Sequence, residues 1–205
     1  MNQSNSVLEQ KMLQNETVYR AACEVFAQPS RVFRYYDQHD EISVDLLTVE
    51  NSPRDGVVSY SSLGLIHYPL GLRAEGKPLR AEIAGACYSR FEYYPNLLSS
   101  CAFEIMNAHF VCAHGVVYPE CVNMYVQGSP MRHLLFVEPG EMAARYWERP
   151  LSPLDFADKR AVWLLALPIS DSELEYLREQ GTDALLDRLR GAQADPFDLE
   201  RRPVL

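Results

Sequence analysis

Residues 161–167 read Ala-Val-Trp-Leu-Leu-Ala-Leu, seven apolar side chains with no polar position in the alternation. A strand that is apolar on both faces must be covered on both faces, so it belongs in the middle of a sheet with helices packed against it. The run is far shorter than the roughly 18 residues a membrane span requires. The next segment is just as informative. Ser170 and Glu173 stand three residues apart and form a capping box, which predicts a helix through Gln180 with Gly181 as its stop. Thr182 is then placed to cap a last short helix to Arg190, closed by Gly191.

Patterns elsewhere supply the rest of the sheet and its cover. Leu8, Met12, Tyr19, Ala22 and Phe26 recur at helical spacing, so residues 1–30 hold an amphipathic helix that ends before Pro29. Residues 31–37 are aromatic and β-branched, and Ile42, Val44 and Leu46 alternate with Ser43 and Asp45. The polar stretch 37–41 between them is the turn of a β-hairpin. A second turn at 51–56 leads into a strand at 57–61. Residues 64–78 hold three glycines and two prolines and read as a long structured loop, followed by a strand over 79–83. Pro95 opens a helix carrying Leu98, Cys101, Ala102 and Ile105 on one face. Val122, Met124 and Val126 suggest a short strand, and residues 133–137 another. The fold class is therefore α+β, an α/β sandwich: a mixed β-sheet with helices packed against it in a single domain. A helix at 1–30, a domain at 31–190 and a polar tail at 191–205 describe its parts.

Composition narrows the function. The chain has 205 residues, 47% hydrophobic and 23% charged, enough for an autonomous core and not the balance of a disordered chain. Its formal net charge of −9 repels phosphate backbones and argues against nucleic-acid binding. The N-terminus lacks a basic patch followed by an apolar segment, so no secretory signal is read. Five cysteines without regular spacing then read as reduced thiols in a cytoplasmic protein. No membrane partner is expected, and the oligomeric state is left open.

Catalytic patterns are sparse. His109, Cys112, His114 and Cys121 are zinc-type donors, but they are not grouped as two local chelating pairs, so no metal and no cofactor are expected. A cysteine nucleophile needs a histidine base; Cys112 with His133 or His67 is conceivable, without any local signature. Gly-x-Ser-x-Gly, the P-loop and the dinucleotide-binding glycine pattern are absent. Asp37, Asp40, Glu41 and Asp45 cluster at the first hairpin, where a solvated turn accounts for them. An enzyme using the Cys/His set at 109–121 stands as the alternative to a binding protein.

Several segments occur in an order that resembles the suppressor-of-fused-like family in its compact bacterial form. They are Val57-Val58-Ser59-Tyr60-Ser61-Ser62-Leu63-Gly64-Leu65, Leu79-Arg80-Ala81-Glu82-Ile83, Met131-Arg132-His133 with the strand after it, and Pro168-Ile169-Ser170-Asp171-Ser172-Glu173-Leu174. The resemblance spans roughly residues 31–190. It implies an α/β sandwich that binds protein without catalysis. Bacterial members are identified with immunity proteins that neutralise polymorphic toxins, and the animal member is a cytoplasmic regulator that captures a peptide as an added strand. A regulatory scaffold of that kind differs from an immunity protein only in its partner. A basic toxin domain is the expected partner, since a −9 surface steers such a molecule inward.

By the same resemblance, Tyr60, Gly64 and His67 are the candidate partner-binding residues. The chain departs from the family just there, with Ile66-His67 where a Ser-Asp pair is common. Strand 57–61 is taken to lie at a sheet margin, where an extended segment adds. Tyr60 reads either as a contact there or as a core-facing aromatic.

Overall fold

The computed structural model of the chain describes residues 2–27, 29–107, 110–140, 147 and 149–205. Its centre is a mixed sheet of nine strands: β1 (Arg31–Tyr36), β2 (Ser43–Glu50), β3 (Val57–Leu63), β4 (Arg73–Ala74), β5 (Lys77–Tyr88), β6 (Val117–Tyr118), β7 (His133–Val137), β8 (Leu154–Asp155) and β9 (Arg160–Ile169). The order across the sheet is β1-β2-β3-β5-β9-β7-β6, with β4 beside β5 and β8 beside β9. Among the described residues β5 and β9 run parallel and the other pairs are antiparallel. The helices among the described residues are α1 (Asn2–Phe26), α2 (Tyr94–Met106), α3 (Asp171–Gln180) and α4 (Thr182–Gly191).

The two-faced apolar run is the seam of the molecule. In β9, Ala161, Trp163, Leu165, Leu167 and Ile169 enter the core that also holds Val18, Ala22 and Phe26 of α1, Leu174 of α3 and Leu185 and Leu189 of α4. Leu164 and Ala166 point the other way, into a second core with Leu97, Leu98, Cys101 and Ile105 of α2. A strand has period two, so one apolar run supplies both cores at once. Pro95 sits in the first turn of α2, where its missing N–H has no intrahelical partner. The Ser170–Glu173 capping box is present in full: the Glu173 N–H donates to Ser170 Oγ (3.2 Å) and the Ser170 N–H donates to Glu173 Oε2 (3.0 Å). The Asp37–Glu41 turn closes the β1–β2 hairpin, with Asp37 Oδ1 accepting from the N–H of Glu41 and of Ile42 (2.8 and 3.2 Å).

Four local expectations are corrected. Residues 122–124 form a 3-10 turn and not a strand; Val122 is buried while Met124 faces solvent, and three alternating residues carry too little pattern to decide. Thr182 is the first residue of α4 and not its cap, because Gly181 alone separates α3 from α4 and serves both. The closing cap of α4 is Ala192, with Gly191 still helical. In α1, Leu8 and Met12 are exposed and the covered apolar stripe starts at Val18, one turn after the buried Gln14. The tail after Gly191 is ordered against the body: Phe197 and Leu199 are buried, and Arg201 is buried on Glu173.

Candidate functional site

Strand β3 ends in the Ser62-Leu63-Gly64 turn, which opens the loop carrying Leu65–His67 as a 3-10 turn. Gly64 adopts φ +94°, a left-handed geometry that favours glycine, and a Cβ there would stand 3.3 Å from Asn15 Nδ2 of α1. The turn is anchored from beneath by Glu82 of β5. Its Oε1 accepts from the N–H of Gly64 (2.8 Å) and of Ile66 (3.2 Å), and its Oε2 accepts from the Ser62 hydroxyl. Ser62 Oγ in turn accepts from the Ile83 N–H at 2.9 Å. Burial without a cation pushes the Glu82 carboxyl up to about 7, and the hydrogen bonds from Ser62, Ile66 and Gly64 hold it from going higher.

His67 closes the turn onto α1. Its Nε2 donates to Asn15 Oδ1 (2.7 Å), while Nδ1 faces Lys159 Nζ at 3.5 Å. Lys159 donates to Gln14 Oε1 (2.9 Å), and Gln14 Nε2 donates to Asp158 (3.0 Å). Burial and the Lys159 charge press His67 down to about 4, so the ring is neutral at physiological pH. Gly64 and His67 are thus half-buried parts of a polar clasp between the β3 loop and α1.

Tyr60 lies elsewhere. Its side chain is only 6% exposed and its ring meets Tyr94 of α2 with centroids 5.6 Å apart. Across the ladder Tyr60 faces Gly85, where a Cβ would collide with the Tyr94 hydroxyl at 2.3 Å, so the missing side chain makes room for that ring. The sheet-margin reading of residues 57–61 is therefore corrected: β3 is hydrogen-bonded to β2 on one side and β5 on the other, and no extended segment can add there. Tyr60 faces the core.

Among the described residues the Cys/His set at 109–121 forms no cluster of ligand-type atoms. His109 lies outside the described residues. Cys112 and Cys121 are buried, burial drives the Cys112 thiol well above its ordinary value, and His114 Nδ1 accepts from the Glu138 N–H at 3.1 Å. His133 is committed too: Nδ1 accepts from the Glu120 N–H (2.9 Å), and Nε2 donates to Asp171 Oδ1 (2.9 Å). Arg132 bridges the same two carboxylates at 2.7 and 2.9 Å. Glu120, His133 and Asp171 bring ligand-type atoms within 4.8 Å of one another. With the imidazole's acceptor nitrogen already used and both carboxylates matched by a guanidinium, this is a clamp tying β7 to the start of α3. Asp37 caps its own turn and Asp45 pairs with Arg34 at 2.7 Å, which accounts for much of the hairpin acid cluster.

Sequence reading missed Glu82, Arg201 and the His133–Asp171 clamp. The signal for Glu82 was available: residues 83–87, Ile-Ala-Gly-Ala-Cys, lack any polar alternation, so their strand is buried on both faces and an acid within it must be inside.

The family model described as suppressor of fused protein matches residues 40–202, which takes in most of the tail set apart above. The chain belongs to the suppressor of fused family. It is 38% identical over 192 residues to immunity protein YqcF of Bacillus subtilis (strain 168), covering 94% of this chain and 97% of that one. Among solved structures it is similar to a suppressor-of-fused homologue from Neisseria gonorrhoeae FA 1090 (TM-score 0.68, 20% identity, 95% of this chain and 98% of that one). It is also similar to a chain of the Sufu–Fu complex, with TM-score 0.65 and 14% identity over 93% of this chain and 92% of that one. At those identities the solved structures speak for the fold. Among the described residues no helix is long and apolar enough to cross a membrane.

Proposed function

We propose that this chain is an immunity protein that binds a toxin domain in the cytoplasm and holds it inactive, without catalysis. The observation that carries this reading is the near end-to-end similarity to a protein named as an immunity protein, at 38% identity over 94% of the chain. The chemistry is compatible: the thiols of Cys87, Cys101 and Cys112 are held protonated by burial, and neither nitrogen of His133 is available as a base. A net charge of −9 favours a basic toxin domain and a fast, salt-sensitive encounter.

Gly64 and His67, half-exposed on the loop beside α1, stay in the proposal as contacts, and Tyr60 is a core residue of β3. Tyr60→Ala then lowers the denaturation midpoint while the folded fraction binds as before. The reading is tested by co-expressing this chain with the toxin domain encoded by the neighbouring reading frame. Restored growth and a stable complex of the two purified proteins are expected. Growth arrest that persists beside soluble, folded protein overturns the reading.

A further inference from the structure

The two margins of the sheet differ. One is β6, two half-buried residues. The other is β1, six residues of which five are exposed, with Val32 and Phe33 each 45% and Tyr36 56% accessible. A free strand of that length displays a row of unpaired backbone groups and is ordinarily blunted by charge, proline or a bulge. Neither proline nor a bulge blunts it here: β1 has no proline, and its ladder with β2 is unbroken from Arg31↔Thr48 to Tyr36↔Ser43. Its two charges are held sideways on β2, Arg34 by two bonds of 2.7 and 2.9 Å to Asp45 and Arg31 at 3.8 Å from Glu50, with both side chains still exposed.

The hydrogen-bonding phase shows which groups face outward. The Asp37 N–H donates to Ile42 O at 3.1 Å, so residues 37, 35, 33 and 31 spend their backbone groups on β2. The N–H and C=O of Val32, Arg34 and Tyr36 are left pointing away from the sheet. These three positions are symmetric about Arg34. A second β1, brought up antiparallel by a two-fold axis perpendicular to the sheet at Arg34, pairs Arg34 with itself and Val32 with Tyr36. Every outward group is then used. The same register sets Phe33 opposite Tyr35 on the α2 side, an aromatic pair repeated twice, and Arg31 opposite Asp37, an opposite-charge pair repeated twice. The two Arg34 side chains do not meet, because each is held on its own Asp45.

We infer that the β1 edge docks a second copy of this chain, joining two sheets across a two-fold axis. The inference is independent of what else the protein binds. Proline tests it cleanly, because the Val32 N–H is not used within one copy. In sedimentation equilibrium over micromolar to hundreds of micromolar protein, the chain is expected to pass from 23.4 kDa to twice that mass. Val32→Pro removes a backbone donor from each copy and should raise the dimer dissociation constant at least about tenfold with an unchanged melting profile. Arg31→Glu, which sets acid against Asp37, should raise it several-fold. Amide exchange on the unmodified protein gives a second reading that does not depend on any variant folding. Val32, Arg34 and Tyr36 amides should be protected at high concentration and exchange quickly on dilution, while Phe33 and Tyr35 stay protected throughout. A mass of 23.4 kDa at every concentration overturns the inference and leaves the edge to an extended segment of another protein. So does a dimer indifferent to Val32→Pro, or exchange at the three outward amides that ignores concentration.

Discussion

Two carboxylates are buried among the described residues, and they are accommodated in opposite ways. Glu173 is fully covered and faces a cation: Arg201 grips it with two parallel bonds of 2.6 and 2.7 Å, and the N–H groups of Ser170 and Val204 complete its shell at 3.0 Å each. Glu82 is equally covered and has no cation, only neutral donors from Ser62, Gly64 and Ile66. The first arrangement locks the C-terminal tail to the start of α3. The second leaves a carboxyl whose ionisation falls in the physiological range, beneath the loop that carries Gly64 and His67. A guanidinium balances a buried charge; backbone dipoles lower its cost only in part.

Removing the cation should have the largest effect. Arg201→Met leaves Glu173 uncompensated in the interior and is expected to lower stability by about 3–5 kcal/mol in denaturant unfolding. The double variant Glu173→Leu with Arg201→Met should lose less than Arg201→Met alone. If the two lose equally, the tail is held by packing of Phe197 and Leu199 instead.

The Glu82 arrangement is read through pH. Its folded-state value of about 7 stands above the ordinary 4.5, so the folded protein binds the proton more tightly than the unfolded chain. The stability this contributes is fully present below pH 4.5 and is lost as pH rises through 7, about 3 kcal/mol in all. Glu82→Gln cannot titrate. The stability difference between wild type and this variant should fall across that window, and a flat difference would refute the assignment. Ser62→Ala removes the hydroxyl that donates to the carboxylate and accepts from Ile83, at about 2 kcal/mol. It should also move the pH window upward, since the Ser62 bond favours the ionised form. The smallest effect belongs to the Glu173 side. Ser170→Ala deletes the cap of α3 and is expected to cost about 1 kcal/mol, measured as a lower denaturation midpoint, with partner binding by folded protein intact.

Much of the architecture was legible because it is written at short range. The two-faced run at 161–167, the Ser170–Glu173 spacing, the Asp37–Glu41 turn and Pro95 each act within a few residues, and each is realised as read. The family was legible for a related reason, since four such local segments stand in its order. The position of Tyr60 was not. Residues 57–61 carry the same pattern at an edge or in the interior, and only pairing with residues 43–50 and 77–88 places them inside. The same holds for Arg201, which reads as part of a polar tail until it meets Glu173, whereas the burial of Glu82 is signalled by the apolar run at 83–87. By itself the sequence determined the longer strands and helices and that a sheet must be covered on both faces, because periodicity and capping are local interactions; the two-residue strands β4, β6 and β8 are too short to carry such a pattern. Tertiary structure alone decided which strand is an edge and which partners the buried charges meet, because strand order and side-chain pairing depend on segments far apart in the chain.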